Sequence, residues 1–323
     1  MTPQPELLVR DLDEDALLAR IFPRLPLGAA TIVPPGDDAA VVAAPDGRFV
    51  VTTDVLVEDR HFRRRWSSGE DVGRRAAVQN LADIAAMGAR PTSVVVSLVV
   101  PAELPVDWVE GLAQGLAAEC APSGVGVVGG DLSGGPLVVV AVTAHGDLEG
   151  RDPVRRGGAR PGDVVAHAGV RGRSAAGWAL LEAGRAAVDP DLVQAYLRPT
   201  APLASGVDAA RAGATSMLDV SDGLLRDAAR IARASGVVLD LVGPAAFASD
   251  LAALDEAAAA LGHDPGEWVM TGGEDHGLLA TFPPDATLPA GFVACGRVLE
   301  GPPAALVAGQ VWAGGSGWDH FRG

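Results

Sequence analysis

The sequence predicts an α/β (α+β) protein of two domains, on three observations. The chain has 323 residues, which is more than one ordinary domain contains. Apolar, strand-like runs alternate with helical periodicities through the first half, as they do in α/β folds. Residues 147–162 are rich in glycine, proline and arginine, which is typical of a domain junction. We therefore expect an N-terminal domain over residues 1–147 and a C-terminal α/β domain over residues 148–323.

The elements follow from hydrophobic periodicity. In the first half, continuous apolar runs predict strands, and a period near 3.6 predicts helices, the second of which begins after a proline. The predicted strands are 49–57, 93–100, 126–128 and 137–146, and the predicted helices are 70–87 and 106–119. In the second half the same rules predict helices at 174–183, 203–212, 223–234 and 251–261, and strands at 237–241, 278–282 and 292–298.

The charge composition excludes several functions. The formal net charge of −16 argues against nucleic-acid partners and anionic membranes. The chain contains no lysine, so all 25 basic residues are arginine. A P-loop, the lysine of protein kinases and a lysine Schiff base are therefore excluded. If the protein handles phosphates, it needs metal ions, backbone N–H groups and arginine.

Several signals predict a cytoplasmic protein. Cys120 and Cys295 lie far apart in the sequence without a C-x-x-C motif, which favours free thiols in a reducing compartment. The N-terminal segment is acidic where a signal peptide is basic, and the longest apolar runs, 94–100 and 137–144, are strand-length. The glycines of 124–129 match the dinucleotide-binding pattern, but a predicted helix precedes them where that motif needs a strand.

Short acidic stretches at the ends of apolar segments carry the functional signal. Each alone is typical of a turn or a helix cap. Six of them occur, in both halves of the chain: 37–38, 54, 83, 131, 219–222 and 274–275. Asp54 interrupts an apolar strand, and Asp83 lies near the apolar face of a predicted helix, where an unpaired carboxylate is costly. Oxygen ligands of this kind suit Mg²⁺, which in turn binds phosphates. The sequence therefore predicts magnesium-assisted phosphate chemistry.

The ordered motifs then identify a family. They are G-D-D-A-A, T-D-x-L-V-E-x-x-H-F, N-L-x-D-I-A-A-M-G-A-x-P, G-G-D, D-x-S-D-G-L, G-G-E-D and a terminal aromatic-D-H-F. From about residue 7 to residue 321 this order closely resembles the thiamine-monophosphate kinases, within the aminoimidazole-ribonucleotide-synthetase-like ATP-binding superfamily. The resemblance implies an N-terminal sheet that pairs across a homodimer, a C-terminal α/β domain, and ATP bound between the two domains.

The resemblance also implies roles for individual residues. Several magnesium ions would be held, directly or through water, by Asp38, Thr52, Thr53, Asp54, Asp83, Asp131, Asp219 and Asp222. ATP would be contacted by Gly130, Asp131, Arg156 and Ser221, and thiamine phosphate by His61, Glu274 and Trp318. The chain departs from the family pattern at Leu132 and Gly134, where threonine and arginine are usual, and at His276 and Gly277, where tyrosine and glutamate are common; Trp318 stands where tyrosine is frequent.

The implied reaction is direct in-line transfer of the γ-phosphoryl group of ATP to thiamine phosphate, giving thiamine diphosphate and ADP. The acceptor is already an anion, so metal ions and positioning, without a general base or protein nucleophile, should carry the catalysis. The alternatives are other ATP-dependent enzymes of the superfamily: a purine-pathway synthetase, a selenophosphate synthetase or a hydrogenase-maturation protein. A selenophosphate synthetase would be expected to carry a reactive N-terminal cysteine. A hydrogenase-maturation protein would be expected to end in a functional cysteine. No cysteine precedes Cys120, and Asp-His-Phe-Arg-Gly follows Trp318. A non-catalytic, metal-stabilised dimer is a further alternative.

We predict that Trp318→Ala raises the KM for thiamine phosphate several-fold to tens-fold and leaves the KM for ATP nearly unchanged. The glycine-rich approach Ala313–Gly317 suits a mobile segment, and an indole face attracts the cationic thiazolium ring by about 0.5–2 kcal/mol. Trp318→Tyr should restore most of the loss. A lower melting temperature with both KM values intact would assign the residue a structural role.

Overall fold

The computed structural model describes residues 7–34, 39–315 and 317. The chain divides into two compact units, of which the first comprises the chain up to Ile84 together with Pro91–Glu149. The second comprises Ala85–Arg90 and the chain from Gly150 onward. The segment Ala85–Arg90 belongs to the second unit because it is bonded there: Val154 N–H donates to the Met87 carbonyl at 3.1 Å.

The helices and strands up to residue 147 occur in the following order along the chain. They are α1 (Glu14–Ile21), β1 (Thr31–Val33), β2 (Val41–Val42), β3 (Val50–Val57), α2 (Gly69–Ala86), β4 (Arg90–Val100), α3 (Val106–Cys120), β5 (Gly126–Gly134) and β6 (Val139–Asp147). Pro105 precedes α3, as predicted, and the buried positions Val109, Leu112 and Leu116 of this helix recur at intervals of three and four.

Within the described residues, four strands of the first unit form a sheet in the order β3-β6-β4-β5, and β1 pairs with β2. β3 pairs antiparallel with β6, whereas β4 and β5 are parallel. Alternate side chains such as Val96, Leu98 and Val142 are buried on one face of the sheet. The other face is open in the single chain, where Val51 and Val55 are 56% and 45% exposed. This open apolar face is an unusual surface for an isolated chain.

The helices and strands of the second unit likewise occur in the following order along the chain. They are β7 (Val164–Ala168), α4 (Arg173–Glu182), α5 (Pro190–Leu197), α6 (Leu203–Arg211), β8 (Ser216–Val220), α7 (Leu224–Ser235), β9 (Val238–Leu241), α8 (Ala248–Leu261), α9 (Pro265–Thr271), β10 (Gly277–Phe282), β11 (Phe292–Leu299) and β12 (Ala304–Val307).

Six strands of the second unit, as far as it is described, form a mixed sheet in the order β12-β9-β11-β7-β10-β8. Its strands alternate between two apolar clusters. Leu279 packs into one cluster with Leu218 and Ile231, and its neighbour Leu278 packs into the other with Phe282. Because both faces are covered, β8 and β10 are buried along their whole length.

The mixed helix and sheet architecture agrees with the predicted fold class, and several elements differ from the prediction. The sequence patterns missed eight elements, which are the strands β1, β2, β7, β8 and β12 and the helices α1, α5 and α9. β7 and β8 carry His167 and Asp219 inside short apolar runs, which obscures a strand signal that rests on hydrophobicity. β5 continues beyond the predicted 126–128 to Gly134. No helix in the described ranges is long and apolar enough to cross a membrane.

Helices α2 and α3 approach each other closely at glycine. A Cβ on Gly73 would lie 2.1 Å from the carbonyl oxygen of Leu112, which is a severe steric clash, so no larger residue fits. We predict that Gly73→Ala lowers the free energy of unfolding by about 2 kcal/mol, since overpacking outweighs the better helix propensity of alanine. Urea denaturation measures this. The control is Gly134→Ala, where a Cβ meets open space; equal stability of both variants would contradict the prediction.

Candidate functional site

Two of the predicted metal ligands lie side by side where β3 meets α2. The hydroxyl of Thr52 donates to Asp83 Oδ2 at 2.7 Å, and the N–H of Asp54 donates to Asn80 Oδ1 at 3.0 Å. Residues two apart on a strand and three apart on a helix share a face, which is why these two pairs meet. Asp54 is exposed and Asp83 is half-buried. We call this pair of carboxylates, Asp54 and Asp83, the first acidic seam.

The structure separates two other predicted ligands from this seam. The hydroxyl of Thr53 bonds to the Val142 carbonyl at 3.0 Å and accepts from Thr143, which places it on the opposite face of β3. Gly130 and Asp131 are exposed on β5, at the far edge of the same sheet. Three strand spacings separate the two edges, or roughly 14 Å. Asp54 and Asp131 of one chain therefore cannot share a single metal ion.

A second group forms where β8 and β10 pair. Their antiparallel register places Gly277 opposite Val220 and Leu278 opposite Asp219. Beyond the paired residues, Glu274 N–H donates to the Ser221 carbonyl at 2.8 Å, so the pairing continues into the preceding loop. The structure thus brings the D-V-S-D-G and G-G-E-D motifs together. We call Asp219 and Asp222 the second acidic seam; Ser221 and Glu274 lie next to it.

The loop before β10 has a strained backbone. Glu274 and His276 have φ angles of 68° and 50°, in the left-handed region that non-glycine residues rarely adopt. Such strain persists only where the surrounding structure enforces it, and it is concentrated at functional sites. In this loop the His276 side chain lies against β8, with its Nδ1 3.4 Å from Asp219 Oδ2, and its Nε2 lies 3.9 Å from Glu274 Oε2.

Two arginines of α7 lie beside Asp222, one of the two carboxylates of the second acidic seam. Asp222 forms an ion pair with Arg230 and lies 3.8 Å from Arg226. Asp227 also pairs with Arg230 and accepts the N–H of Asp222 at 3.0 Å. Burial nevertheless raises the pKa of Asp227 to about 7. A cation that binds Asp222 would therefore compete with two guanidinium groups.

Asp275 connects the strained loop to the start of α4. Its carboxylate accepts the N–H groups of Gly172 and Ser174, at the start of α4, at 2.5 and 2.8 Å. Burial raises the pKa of this carboxyl to about 6, and the two backbone hydrogen bonds oppose that shift. Asp275 therefore holds the loop in place, while its neighbours Glu274 and His276 lie beside β8.

The remaining predicted contacts lie elsewhere in each unit. His61 follows β3 in a tight turn, and its Nδ1 accepts the Val57 N–H at 3.0 Å. In the neutral imidazole the proton is therefore on Nε2, which can donate to an anion. Arg156 is exposed, and its neighbour Arg155 bonds to the start of β8, whereas Ser221 follows its end. Arg155 bonds to Met217, and the four residue steps from Met217 to Ser221 span roughly 13 Å along a strand, so the structure does not bring Arg156 next to Ser221.

Two predicted residues, Asp38 and Trp318, lie outside the described residues. Gly317, which is described, lies against Asp222 and Arg226 so closely that a Cβ would clash with the Asp222 carbonyl. Gly317 therefore lies beside the second acidic seam.

The donors fit magnesium only in combination with a ligand. Among the described residues, no three His, Cys, Asp or Glu side chains converge to hold a metal ion. Each seam offers two carboxylates, and these, with threonine hydroxyls, are hard oxygen donors. Mg²⁺ typically binds one or two carboxylates and completes its octahedron with water and substrate phosphates. The seams therefore fit a metal ion that arrives with phosphates, and not a preformed metal cage.

The fold places the chain among the AIR-synthase-related proteins. Residues 36–148 match the family model "AIR synthase related protein, N-terminal domain". The thiamine-monophosphate kinase of Mycobacterium tuberculosis is 49% identical over 320 residues, which cover 99% of this chain and 94% of that relative. The chain belongs to the thiamine-monophosphate kinase family, as the motifs predicted.

Solved structures agree with this membership. The thiamine-monophosphate kinase of Aquifex aeolicus is 33% identical, with a TM-score of 0.75, and the match covers 84% of this chain and 90% of that one. AaThiL complexed with AMPPCP and TMP is 31% identical, with a TM-score of 0.77, and the match covers 99% of this chain and all of that one.

Sequence reasoning missed Asn80 and the anchoring role of Asp275. Asn80 lies three residues before Asp83 on the same face of α2, so helical spacing could have identified it. Asp275 stands within the quoted G-G-E-D motif, but its partners in α4 are about a hundred residues away, and no local pattern reveals them.

We predict that Asp275 makes stability depend on pH. Its folded pKa of about 6 exceeds the ordinary value of 3.8. The folded state therefore holds the proton more tightly, and stability from this group is lost as pH rises from about 4 through 6, by up to about 3 kcal/mol. Urea unfolding of wild type and Asp275→Asn between pH 4.5 and 7 should show a steeper decline for the wild type. Parallel curves would contradict the prediction.

Proposed function

We propose that this chain transfers the γ-phosphoryl group of Mg²⁺-bound ATP to thiamine phosphate, giving thiamine diphosphate and ADP. The observation that supports this most strongly is the continuation of the β8–β10 pairing into the loop at Glu274. This pairing brings Glu274 beside the second acidic seam. The family resemblance assigns Glu274 to binding of the acceptor and the second acidic seam to binding of metal. The relative complexed with AMPPCP and TMP provides independent support, since both molecules are named in that complex.

The two seams would hold magnesium together with the phosphates. Asp54 and Asp83, with Thr52, would do so in the first unit, and Asp219 and Asp222 in the second. The chemistry that magnesium would supply there is neutralisation of phosphate oxygens, which favours in-line displacement. The protein's own contribution is to fix the carboxylates: Asn80 holds the backbone of Asp54, and Thr52 orients Asp83.

The base of the nucleotide has a candidate pocket in the first unit. An apolar cavity of about 150 Å³ lies between α1, α3 and strands β4 and β5, and its walls include Leu18, Val96 and Leu112. Gly130 and Asp131 also line this cavity. An apolar slot with a few polar groups at its edge is the usual form of a small-ligand site. Adenine would occupy the slot, with the phosphates near Asp131.

The acceptor would be recognised by its two charges. The Nε2–H of His61 can donate to the phosphate of thiamine phosphate, and the Glu274 carboxylate complements the cationic thiazolium ring. The available nucleophiles favour direct transfer of the phosphoryl group from ATP to the acceptor, without a phosphorylated protein intermediate. The phosphate acceptor is itself nucleophilic, whereas burial raises the pKa of the Cys120 and Cys295 thiols to about 12, which leaves them protonated.

The open face of the first unit's sheet fits a homodimer. Val51 and Val55 on β3 are exposed, and the intervening Thr53 continues the same face. An open sheet face with exposed valines is stabilised when another sheet packs against it. A second copy of this chain presents the same surface, and self-complementary contacts of this kind form twofold dimers.

A product assay tests the proposal. The chain is incubated with ATP and Mg²⁺, with thiamine phosphate, free thiamine or no acceptor, and products are separated by chromatography. We expect thiamine diphosphate and ADP in equal amounts with thiamine phosphate alone. ADP and phosphate without thiamine diphosphate, or phosphorylation of free thiamine only, would overturn it.

We predict that Asp54→Asn and Asp131→Asn each lower kcat at least about a hundredfold while the fold stays intact. Loss of one preorganised electrostatic contact typically costs roughly 3 kcal/mol of transition-state stabilisation. Circular dichroism checks the fold, and EDTA should abolish wild-type activity. The control is Asp107→Asn, an exposed carboxylate on α3 in the same unit. Full activity of Asp54→Asn, or of EDTA-treated wild type, would contradict the metal assignment.

We also predict that the chain sediments at twice its own mass and that Val55→Glu shifts it to the monomer. A carboxylate on the open face has no partner when that face is buried. Val311→Glu, at an exposed valine of the second unit, should leave the mass unchanged. A monomeric wild type in analytical ultracentrifugation would rule out the dimer.

A further inference from the structure

A cavity of about 470 Å³ in the second unit is lined by three arginines. Arg151, Arg155 and Arg160 all come from the segment that leads into β7, and Thr215, just before β8, lines the same cavity. Among the described lining residues, Asp152 is the one that carries a carboxylate. The volume is within the range of ordinary small-ligand sites. We call this space the arginine cavity.

Two of the three guanidinium groups have no protein partner. Arg155 and Arg160 are exposed, and neither side chain forms an ion pair or a hydrogen bond with any residue that the structure describes. The Arg151 guanidinium donates to the Gly88 carbonyl at 3.3 Å. The chain has 41 acidic residues for 25 arginines, so carboxylates are not scarce. Like charges that converge on one cavity repel one another, and a bound anion relieves that repulsion.

The backbone between the two unpaired arginines is held in place. The hydroxyl of Ser235, the last residue of α7, accepts the N–H groups of Gly158 and Ala159 at 3.1 and 3.2 Å. A Cβ on Gly158 would lie 2.1 Å from the Thr215 carbonyl oxygen, so this loop packs directly against the start of β8. The guanidinium groups therefore extend from a fixed backbone, and such preorganisation lowers the entropy cost of binding a ligand.

The arginine cavity is separate from the second acidic seam. Thr215 lies at the start of β8 and Asp219 near its end, and the four residue steps between them span roughly 13 Å along a strand. Arg156, which the family resemblance assigns to ATP, does not occur among the described lining residues. The cavity therefore offers a position for an anion other than the one that the second seam would hold through a metal ion.

We propose that the arginine cavity binds the diphosphate group of an anionic ligand, and that it does so without a metal ion. Guanidinium groups form paired, charge-assisted hydrogen bonds to phosphate oxygens. Three arginines and one aspartate give the cavity a formal charge of +2. A single phosphate offers three acceptor oxygens, which is fewer than three guanidinium groups can contact in pairs, and a diphosphate offers more. ADP and thiamine diphosphate both carry this group.

Binding of inorganic diphosphate to the full chain tests the proposal. It is measured by calorimetry at low ionic strength in EDTA, because the acidic seams without metal repel phosphate whereas the arginine cavity attracts it. The variants are Arg155→Gln, Arg160→Gln and the two combined. The matched control is Arg233→Gln, since Arg233 is an exposed arginine of α7 that also lacks an ion pair within the described part of the chain and is not among the lining residues.

We expect one diphosphate to bind per wild-type chain. Each cavity variant should raise the Kd about tenfold, because loss of one hydrogen-bonded charge typically has an effect of this size. The control should change the Kd less than about twofold. Saturating diphosphate should also raise the melting temperature of the wild type and leave that of the double variant unchanged, which separates lost binding from a lost fold.

ADP and thiamine diphosphate, titrated in the same way, identify the source of the diphosphate group by which of them binds more tightly. Orthophosphate that binds as tightly as diphosphate would overturn the assignment to a diphosphate group. No binding by the wild type, or equal Kd values in the wild type and the cavity variants, would overturn the site itself. Failure of the chain to form thiamine diphosphate in the product assay would overturn the proposed function and leave this metal-free result intact.

Discussion

The antiparallel pairing of β8 with β10 is the constraint on which the second unit's site depends. Its register places Asp219 near the end of β8, a buried strand at the edge of the sheet, where a carboxylate is costly unless it has partners. The same register continues into the loop before β10, so Glu274 and His276 emerge beside that carboxylate. A shift of one residue would turn each side chain to the opposite face and separate the two motifs. The site is therefore a consequence of strand register more than of loop conformation.

The carboxylates of the two seams are supported by arginine and by neutral hydrogen-bond donors, since the chain contains no lysine. Arg226 and Arg230 neutralise Asp222 in the second unit, and the neutral donors Thr52 and Asn80 support the first seam. Neither arrangement gathers enough oxygen ligands to hold Mg²⁺ by itself. In a chain of net charge −16 this is physically reasonable, because a larger preformed carboxylate cluster would repel ATP in the absence of metal. In the proposed function, the phosphates of the nucleotide complete the metal sites.

The sequence predicted the architecture and the family because both rest on patterns that repeat locally. The period of α3 and the apolar run of β6 follow from side-chain spacing alone, and the acidic motifs are short and ordered. The anchoring of Asp275 on α4 and the separation of Arg156 from Ser221 depend on which distant elements pair, which no local period encodes. Likewise, the family resemblance implied that Thr53 is a ligand together with its neighbours, but the alternation of a strand turns its hydroxyl to the other face.

The most direct test of this account is the metal affinity of the chain with and without nucleotide. Mn²⁺ binding is titrated by electron paramagnetic resonance, first with the chain alone and then with a non-hydrolysable ATP analogue, with the analogue's own Mn²⁺ binding subtracted. Because each seam supplies only two carboxylates, the account predicts weak binding to the free chain and additional, tighter sites with the analogue. Equally tight binding in the absence of nucleotide would contradict it, since the protein would then contain a complete metal site.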